Sequence, residues 1–188
     1  MNICIICTGG TIDKDYPRST GGYAFEIDEP AVGRILQEHS FLSIKYKIIS
    51  VCKKDSTDID NQDRERICEV IRKEKSLMQR FLITHGTDTL LETANYIEDS
   101  GCCHPTTSGD DGAVVVCTGA MKPERFKDSD ATFNIGGSIT ALGILELPKK
   151  IERPLRRFKA VYICMGGQLI HCKQSCRDAN GFFVEQKR

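Results

Sequence analysis

Three short segments of the chain concentrate hydroxyls, carboxylates and glycines: Thr8-Gly9-Gly10-Thr11-Ile12, Lys54-Asp55-Ser56-Thr57-Asp58 and Thr84-His85-Gly86-Thr87-Asp88-Thr89. Paired glycines let backbone N–H groups come close to a ligand. Gly9 and Gly10 can therefore offer donors to a carboxylate, a phosphate or a developing oxyanion. Taken singly, each feature has a plainer reading: Gly9-Gly10 turns the chain, Thr87 caps a helix, and Asp88 favours a helix N-terminus through the dipole. Position changes the balance. Each segment directly follows a predicted strand, so a parallel sheet would bring all three to one carboxyl edge, where open α/β sheets bind ligands.

The elements that must position these residues are legible as alternating strands and helices. Strands are expected over Asn2–Cys7, Ile44–Val51, Phe81–Thr84, Ala113–Cys117 and Lys159–Met165, and their apolar character on both faces suits a sheet covered by helices on both sides. Between them, Asn61–Lys75 places Ile67, Val70 and Ile71 at helical spacing. A second helix is expected over Thr87–Glu98, with Thr89 and Glu92 at capping-box spacing, and a third over Asn134–Leu145, stopped by Pro148. Asp13–Gly22 and Cys102–Gly112 read as loops.

Composition narrows the function classes. The 188 residues fit one domain. Twenty-six basic residues cancel twenty-six acidic ones, so the electrostatic footprint of a nucleic-acid or anionic-membrane binder is missing. Arg153–Lys159 and Lys187-Arg188 read as solvated surface. No apolar run approaches the ~20 residues needed to cross a bilayer. Met1-Asn2 leads straight into Ile3–Cys7 with no basic n-region or cleavage site, which argues for a cytoplasmic protein.

The ten cysteines are too sparse for a disulfide scaffold and are expected to be mostly reduced. Cys4 and Cys7 resemble a CxxC, but in a strand they point to opposite faces. His171, Cys172 and Cys176, with Cys102, Cys103 and His104, lack the paired spacing of a zinc site, and no metal is expected. The Gly-rich turn also lacks the full dinucleotide fingerprint, so no organic cofactor is implied.

Thr8-Gly9-Gly10-Thr11-Ile12 and Thr84-His85-Gly86-Thr87-Asp88-Thr89-Leu90, with Glu92-Thr93-Ala94 behind the second, resemble the two signature motifs of the bacterial-type L-asparaginases. Lys54-Asp55-Ser56-Thr57 and Gly119-Ala120-Met121-Lys122-Pro123 are similar to two further family segments, in the same order, and the resemblance spans roughly Met1 to Asn180. It implies an α/β three-layer sandwich around a mostly parallel, flavodoxin-like sheet, in a single domain over residues 1–188 that corresponds to the family's amino-terminal unit.

The resemblance further implies that Thr11 attacks the side-chain amide of L-asparagine, giving an acyl-enzyme and ammonia before water releases aspartate. Such a nucleophile needs activation. Tyr23 is similar in position to the loop tyrosine that lies beside the family's nucleophile, and its loop would act as a lid. Thr87 and Asp88 match the first two members of a Thr-Asp-Lys relay. Asp88 would also hold the substrate's α-ammonium, Ser56 its α-carboxylate, and Thr57 would be a neighbouring contact. Backbone N–H groups around Gly10, Thr11 and Thr87 would meet the oxyanion.

Two departures stand out. Counting on from Met165 reaches Arg177 where the relay lysine should stand, with Lys173 as the nearest substitute. Arginine could hold Asp88 ionised but cannot give up its proton at working pH. The chain is also shorter than typical members, and the smaller carboxyl-terminal domain that completes a neighbour's site is absent from it. The expected function is L-asparagine hydrolysis by a homodimer or higher homo-oligomer. The alternatives are a weak or inactive module that binds asparagine or aspartate, and an amidase subunit of a larger assembly.

Overall fold

The computed structural model describes residues 1–17, 21–22, 24–39, 42–105, 112–147 and 160–186. In chain order the elements are β1 (Asn2–Gly9), β2 (Lys14–Asp15), β3 (Glu26–Ile27), α1 (Ala31–Glu38), β4 (Lys45–Lys54), α2 (Asn61–Glu74), β5 (Arg80–Thr84), α3 (Leu90–Ser100), β6 (Val114–Thr118), α4 (Ala131–Ile144), β7 (Val161–Met165), β8 (Gln168–His171), β9 (Ser175–Arg177) and β10 (Phe183–Glu185). All five expected strands and all three expected helices are present, with shifted ends.

Six strands form the central sheet in the order β4-β1-β5-β6-β7-β8. The first five run parallel, while β8 pairs antiparallel with β7 at the edge. Numbered among themselves, the five parallel strands stand two-one-three-four-five, the flavodoxin-like order. The direction of winding reverses between β1 and β5, and that switch point is where such sheets open a crevice.

Helices cover both faces. On one, Ile67, Cys68 and Ile71 of α2 and Leu90, Ala94 and Ile97 of α3 pack on Cys4, Ile6, Phe81 and Ile83. On the other, Val32 and Ile35 of α1 and Ile135 and Leu142 of α4 pack on Ile3, Ile5, Cys7 and Leu82. Cys4 and Cys7 thus face opposite layers, as strand alternation requires. All ten cysteines are free thiols, and burial pushes Cys4 up to about 11 and Cys7 up to about 12.

The helix α2 starts at a capping box in which Asp60 accepts from Gln62 N and Asp63 N, and Asp63 reaches back to the Asp60 N–H. The helix α4 begins three residues before the expected Asn134; Pro148, its expected stop, lies outside the described residues. Four features had no expectation behind them: α1, the edge strand β8, the β9–β10 hairpin, in which Phe183 pairs with Arg177, and the small β2–β3 pair, whose first strand begins inside the stretch Asp13–Gly22 expected as a loop.

Candidate active site

Thr8, Gly9 and Gly10 close β1 at the switch point. Gly9 and Gly10 hold φ of +98° and +86°, a left-handed region that side chains rarely adopt. The turn is anchored on both sides: Gly10 N donates to Lys54 O at 2.9 Å, and the Thr8 hydroxyl donates to Thr84 O at 3.0 Å.

A close approach lies across the switch point. A Cβ on Gly10 would stand 2.3 Å from Gly86 Cα, and a Cβ on Gly86 would stand 2.7 Å from Ser56 Cβ. Neither space exists. The first and third polar segments therefore meet in direct backbone contact, the second reaches Gly86 through the Ser56 side chain, and Thr11 and Thr87 are each next in sequence to one of the touching glycines.

Thr11 opens a single tight helical turn, Thr11–Asp13, and is half-buried. Asp13 is 1% exposed and accepts from Ala31 N, the first residue of α1, at 2.8 Å. Burial pushes its carboxyl up to about 7, against the lowering effects of the Ala31 bond and the Arg34 charge. Lys14 follows and pairs with Asp55 at 2.9 Å, which ties this turn to the Lys54–Asp58 segment and lowers the Asp55 carboxyl.

Beyond β5, His85 is buried in a chain of hydrogen bonds whose directions are fixed by chemistry. Gly86 O can only accept, so the ring Nδ1, 2.8 Å away, carries the proton. Nε2 is then the acceptor, and the Thr93 hydroxyl donates to it at 2.9 Å while accepting from Arg64 Nε at 3.2 Å. Burial pulls the imidazole down to about 4, so it is neutral at pH 7. Arg64, itself buried, is neutralised by Glu92 at 3.0 Å.

The expected capping box at Thr89 and Glu92 does not form. The Thr89 hydroxyl donates instead to Ser56 O at 2.6 Å, α3 begins only at Leu90 without a side-chain cap, and Glu92 faces Arg64. A hydroxyl read as local helix chemistry is used to join two segments of the site.

The remaining site residues fall as follows. Ser56 and Thr87 are buried, whereas Thr57 and Asp88 are exposed, and the Thr57 N–H and hydroxyl both point to Asp55 Oδ1 at 3.4 Å. Arg177, and not Lys173, faces Asp88: its Nη1 donates to Oδ1 at 3.1 Å, while Lys173 pairs with Asp99 at 2.7 Å. The guanidinium is steadied from behind by Gly181 O, 3.1 Å from Nε, and by the Phe183 ring, 5.6 Å from Cζ. Tyr23 lies outside the described residues.

Gly119–Pro123 also borders the site. A Cβ on Gly119 would meet His85 O at 2.3 Å, Asn134 Nδ2 donates to Gly119 O, and the Asp130 carboxylate accepts from Met121 N and Lys122 N. Sequence reasoning had not separated out Asp13, Arg64 or Thr93. The Arg64–Thr93 pairing crosses two helices, so no local spacing announces it.

The model described as Asparaginase, N-terminal, matches residues 2–180. The chain is 28% identical over 145 residues to L-asparaginase 2 of Escherichia coli, and 26% identical over 142 residues to a probable periplasmic L-asparaginase of Haemophilus influenzae. Each match covers 73% of this chain and 38% of the relative. Its fold is similar to that of the thermostable L-asparaginase from Thermococcus kodakarensis, with a TM-score of 0.74 at 20% identity over 98% of this chain and 51% of that one. L-asparaginase I from Vibrio cholerae gives 0.69 at 21% identity, covering 98% and 50%. The chain thus spans about half or less of the length of these proteins. With its two signature turns in contact at the switch point and the family model matching nearly its whole length, the chain belongs to the asparaginase family.

Proposed function

We propose that this chain hydrolyses L-asparagine to L-aspartate and ammonia, as the amino-terminal α/β unit of a cytoplasmic, self-associating amidohydrolase. The observation that supports this reading is the backbone contact of Gly10 with Gly86, which brings the turn that carries Thr11 against the turn that carries Thr87 and Asp88 in a member of the asparaginase family. The zero net charge speaks against nucleic acid or anionic membrane as a partner. Among the described residues no helix is long and apolar enough to cross a membrane.

In the proposed reaction the Thr11 hydroxyl oxygen attacks the side-chain amide carbon. The carbonyl oxygen becomes an oxyanion, which backbone N–H groups around Gly10, Thr11 and Thr87 stabilise, each donor contributing roughly 3 to 4 kcal/mol. The C–N bond breaks as its nitrogen takes up the proton that the Thr11 hydroxyl gives up, and ammonia leaves. Water then attacks the Thr11 ester, releasing aspartate and restoring the hydroxyl. Dividing the hydrolysis in this way replaces one hard step with two easier ones.

Ser56 is assigned to the α-carboxylate, Thr57 to a neighbouring contact and Asp88 to the α-ammonium. Activation of Thr11 by Tyr23 rests on the family resemblance alone. Arg177 acts as a fixed cation beside Asp88 and not as a base, because a guanidinium holds its proton at working pH.

Purified protein should release ammonia from millimolar L-asparagine, and Thr11→Ala should reduce this to background. If wild type and variant give the same signal, the hydrolase reading fails. Calorimetric binding of aspartate without turnover would replace it with a binding module. Faster release from L-glutamine would reassign the substrate.

A further inference from the structure

At the end of α3 remote from Asp88, Glu98, His171 and Cys172 bring a carboxylate oxygen, an imidazole nitrogen and a thiol sulfur within 4.8 Å of one another. His171 is 7% and Cys172 1% exposed, and the Glu98 side chain is 12% exposed. Hydrogen bonding accounts for only part of this burial. His171 Nδ1 has no partner among the described residues, and the contact between Nε2 and Glu98 Oε1 is 3.3 Å, long for a charge-assisted bond. Left alone, the Cys172 thiol is neutral, pushed up to about 12 first by burial and then by the Glu98 charge.

Glu98 is nonetheless firmly oriented. Its Oε2 accepts from Ala160 N at 3.2 Å and Val161 N at 3.0 Å, the kind of outer-sphere fastening that aims a metal-ligating carboxylate. The Tyr162 ring stands edge-on to the imidazole with centroids 5.5 Å apart.

We propose that Glu98, His171 and Cys172 bind one divalent transition-metal ion of the zinc class. The donor set of carboxylate, imidazole and thiolate is the mixture zinc accepts. Two ligands at about 2.0 Å in a tetrahedral field stand about 3.3 Å apart, the separation found between His171 Nε2 and Glu98 Oε1. Binding releases the Cys172 proton to solvent, and the resulting thiolate with the carboxylate cancels the ion's two charges. That neutrality suits a buried site. Water fills the fourth position. The ion would clamp the end of α3 to the turn leading from β8 into β9, and so to Arg177. None of this depends on Thr11 chemistry.

The test uses the purified chain, stripped with a chelator and titrated with Co²⁺. One equivalent should produce visible bands of tetrahedral strength and a near-ultraviolet thiolate-to-cobalt band, all erased by Zn²⁺. Cys172→Ser should lose the near-ultraviolet band, while Thr11→Ala should bind as wild type does, whether or not the hydrolase reading stands. Glu98→Gln keeps the oxygen that Ala160 and Val161 need and should weaken binding roughly 10-fold or more. Absence of one-equivalent binding, or a near-ultraviolet band that survives in Cys172→Ser, overturns the proposal. If circular dichroism shows that Cys172→Ser does not fold, the Glu98→Gln titration decides, and unchanged affinity overturns it.

Discussion

The turns that follow β1 and β5 have nearly the same sequence, Thr8-Gly9-Gly10-Thr11 and Thr84-His85-Gly86-Thr87, and they touch, yet they are held in place by opposite chemistry. The first leaves its strand through two left-handed glycines and is fastened by a buried acid, Asp13, on the first N–H of α1. The second is fastened by a buried base, His85, through Thr93 and Arg64. Burial favours the uncharged form of each, raising Asp13 to about 7 and lowering His85 to about 4. Outside this neutral layer each turn carries an exposed or half-exposed ion pair, Lys14–Asp55 for the first and Arg177–Asp88 for the second. Alkali therefore strains the first turn and acid the second.

The largest test of this contrast is Asp13→Asn. Because the folded-state pKa lies above the ordinary 3.8, the unfolded chain loses this proton first as pH rises. Below about pH 4 both states hold the proton and Asp13 costs nothing. Between about 4 and 7 wild-type stability falls, and above 7 the loss is constant. A shift of about three pKa units corresponds to at most roughly 4 kcal/mol. The substituted amide keeps an acceptor for Ala31 N. Denaturant unfolding should find the variant more stable than wild type at pH 8, with the gap closing towards pH 4. A gap that does not change with pH would mean that the buried carboxyl is not the stressed group.

Thr93→Val addresses the second turn and should cost less, roughly 1 to 3 kcal/mol at pH 7, since it leaves His85 Nε2 and Arg64 Nε without a partner. The pH dependence runs the other way. With a folded pKa near 4 against an ordinary 6.5, the stability held by neutral His85 is complete above about 6.5 and is lost as pH falls towards 4. Removing the hydroxyl that donates to Nε2 should move this acid limb to higher pH, and Thr93→Ser should restore it. If Thr93→Val unfolds with the wild-type acid limb, the hydroxyl does not hold the imidazole neutral.

The difference between the two turns also marks what was legible in the sequence. Strand-sized apolar runs, helical spacing at Ile67, Val70 and Ile71, and polar clusters at strand ends are local patterns, and they located the sheet and the edge where the polar turns meet. Thr89 shows the limit. Its spacing to Glu92 is that of a cap, but a hydroxyl in a crowded site takes whichever acceptor lies nearest, here Ser56 O. Arg64 with Thr93, Asp13 with Ala31, and Glu98 with His171 are pairings 29, 18 and 73 residues apart, fixed by how helices dock on the sheet. The helix α1 has only eight residues, so its apolar repeat of Ala31, Val32, Ile35 and Leu36 spans just two turns, and β9–β10 is held by a contact across its strands, Arg177 of β9 over the Phe183 ring of β10.

Arg177→Lys should have the smallest effect on stability and should separate the outer layer from the inner. The Arg177–Asp88 pair is exposed, with side-chain exposures of 30% and 59%, and such pairs contribute about 0 to 1 kcal/mol. Lysine would give up the bond to Gly181 O and much of the contact with Phe183, but its ammonium can release a proton where the guanidinium cannot. Denaturant unfolding should therefore change by less than about 1 kcal/mol, while the rate of ammonia release from L-asparagine should rise. A slower variant of unchanged stability would show that Asp88 needs a rigid, forked cation and not an exchangeable proton. The second turn would then act by binding the substrate, and proton transfer would belong to the first turn alone.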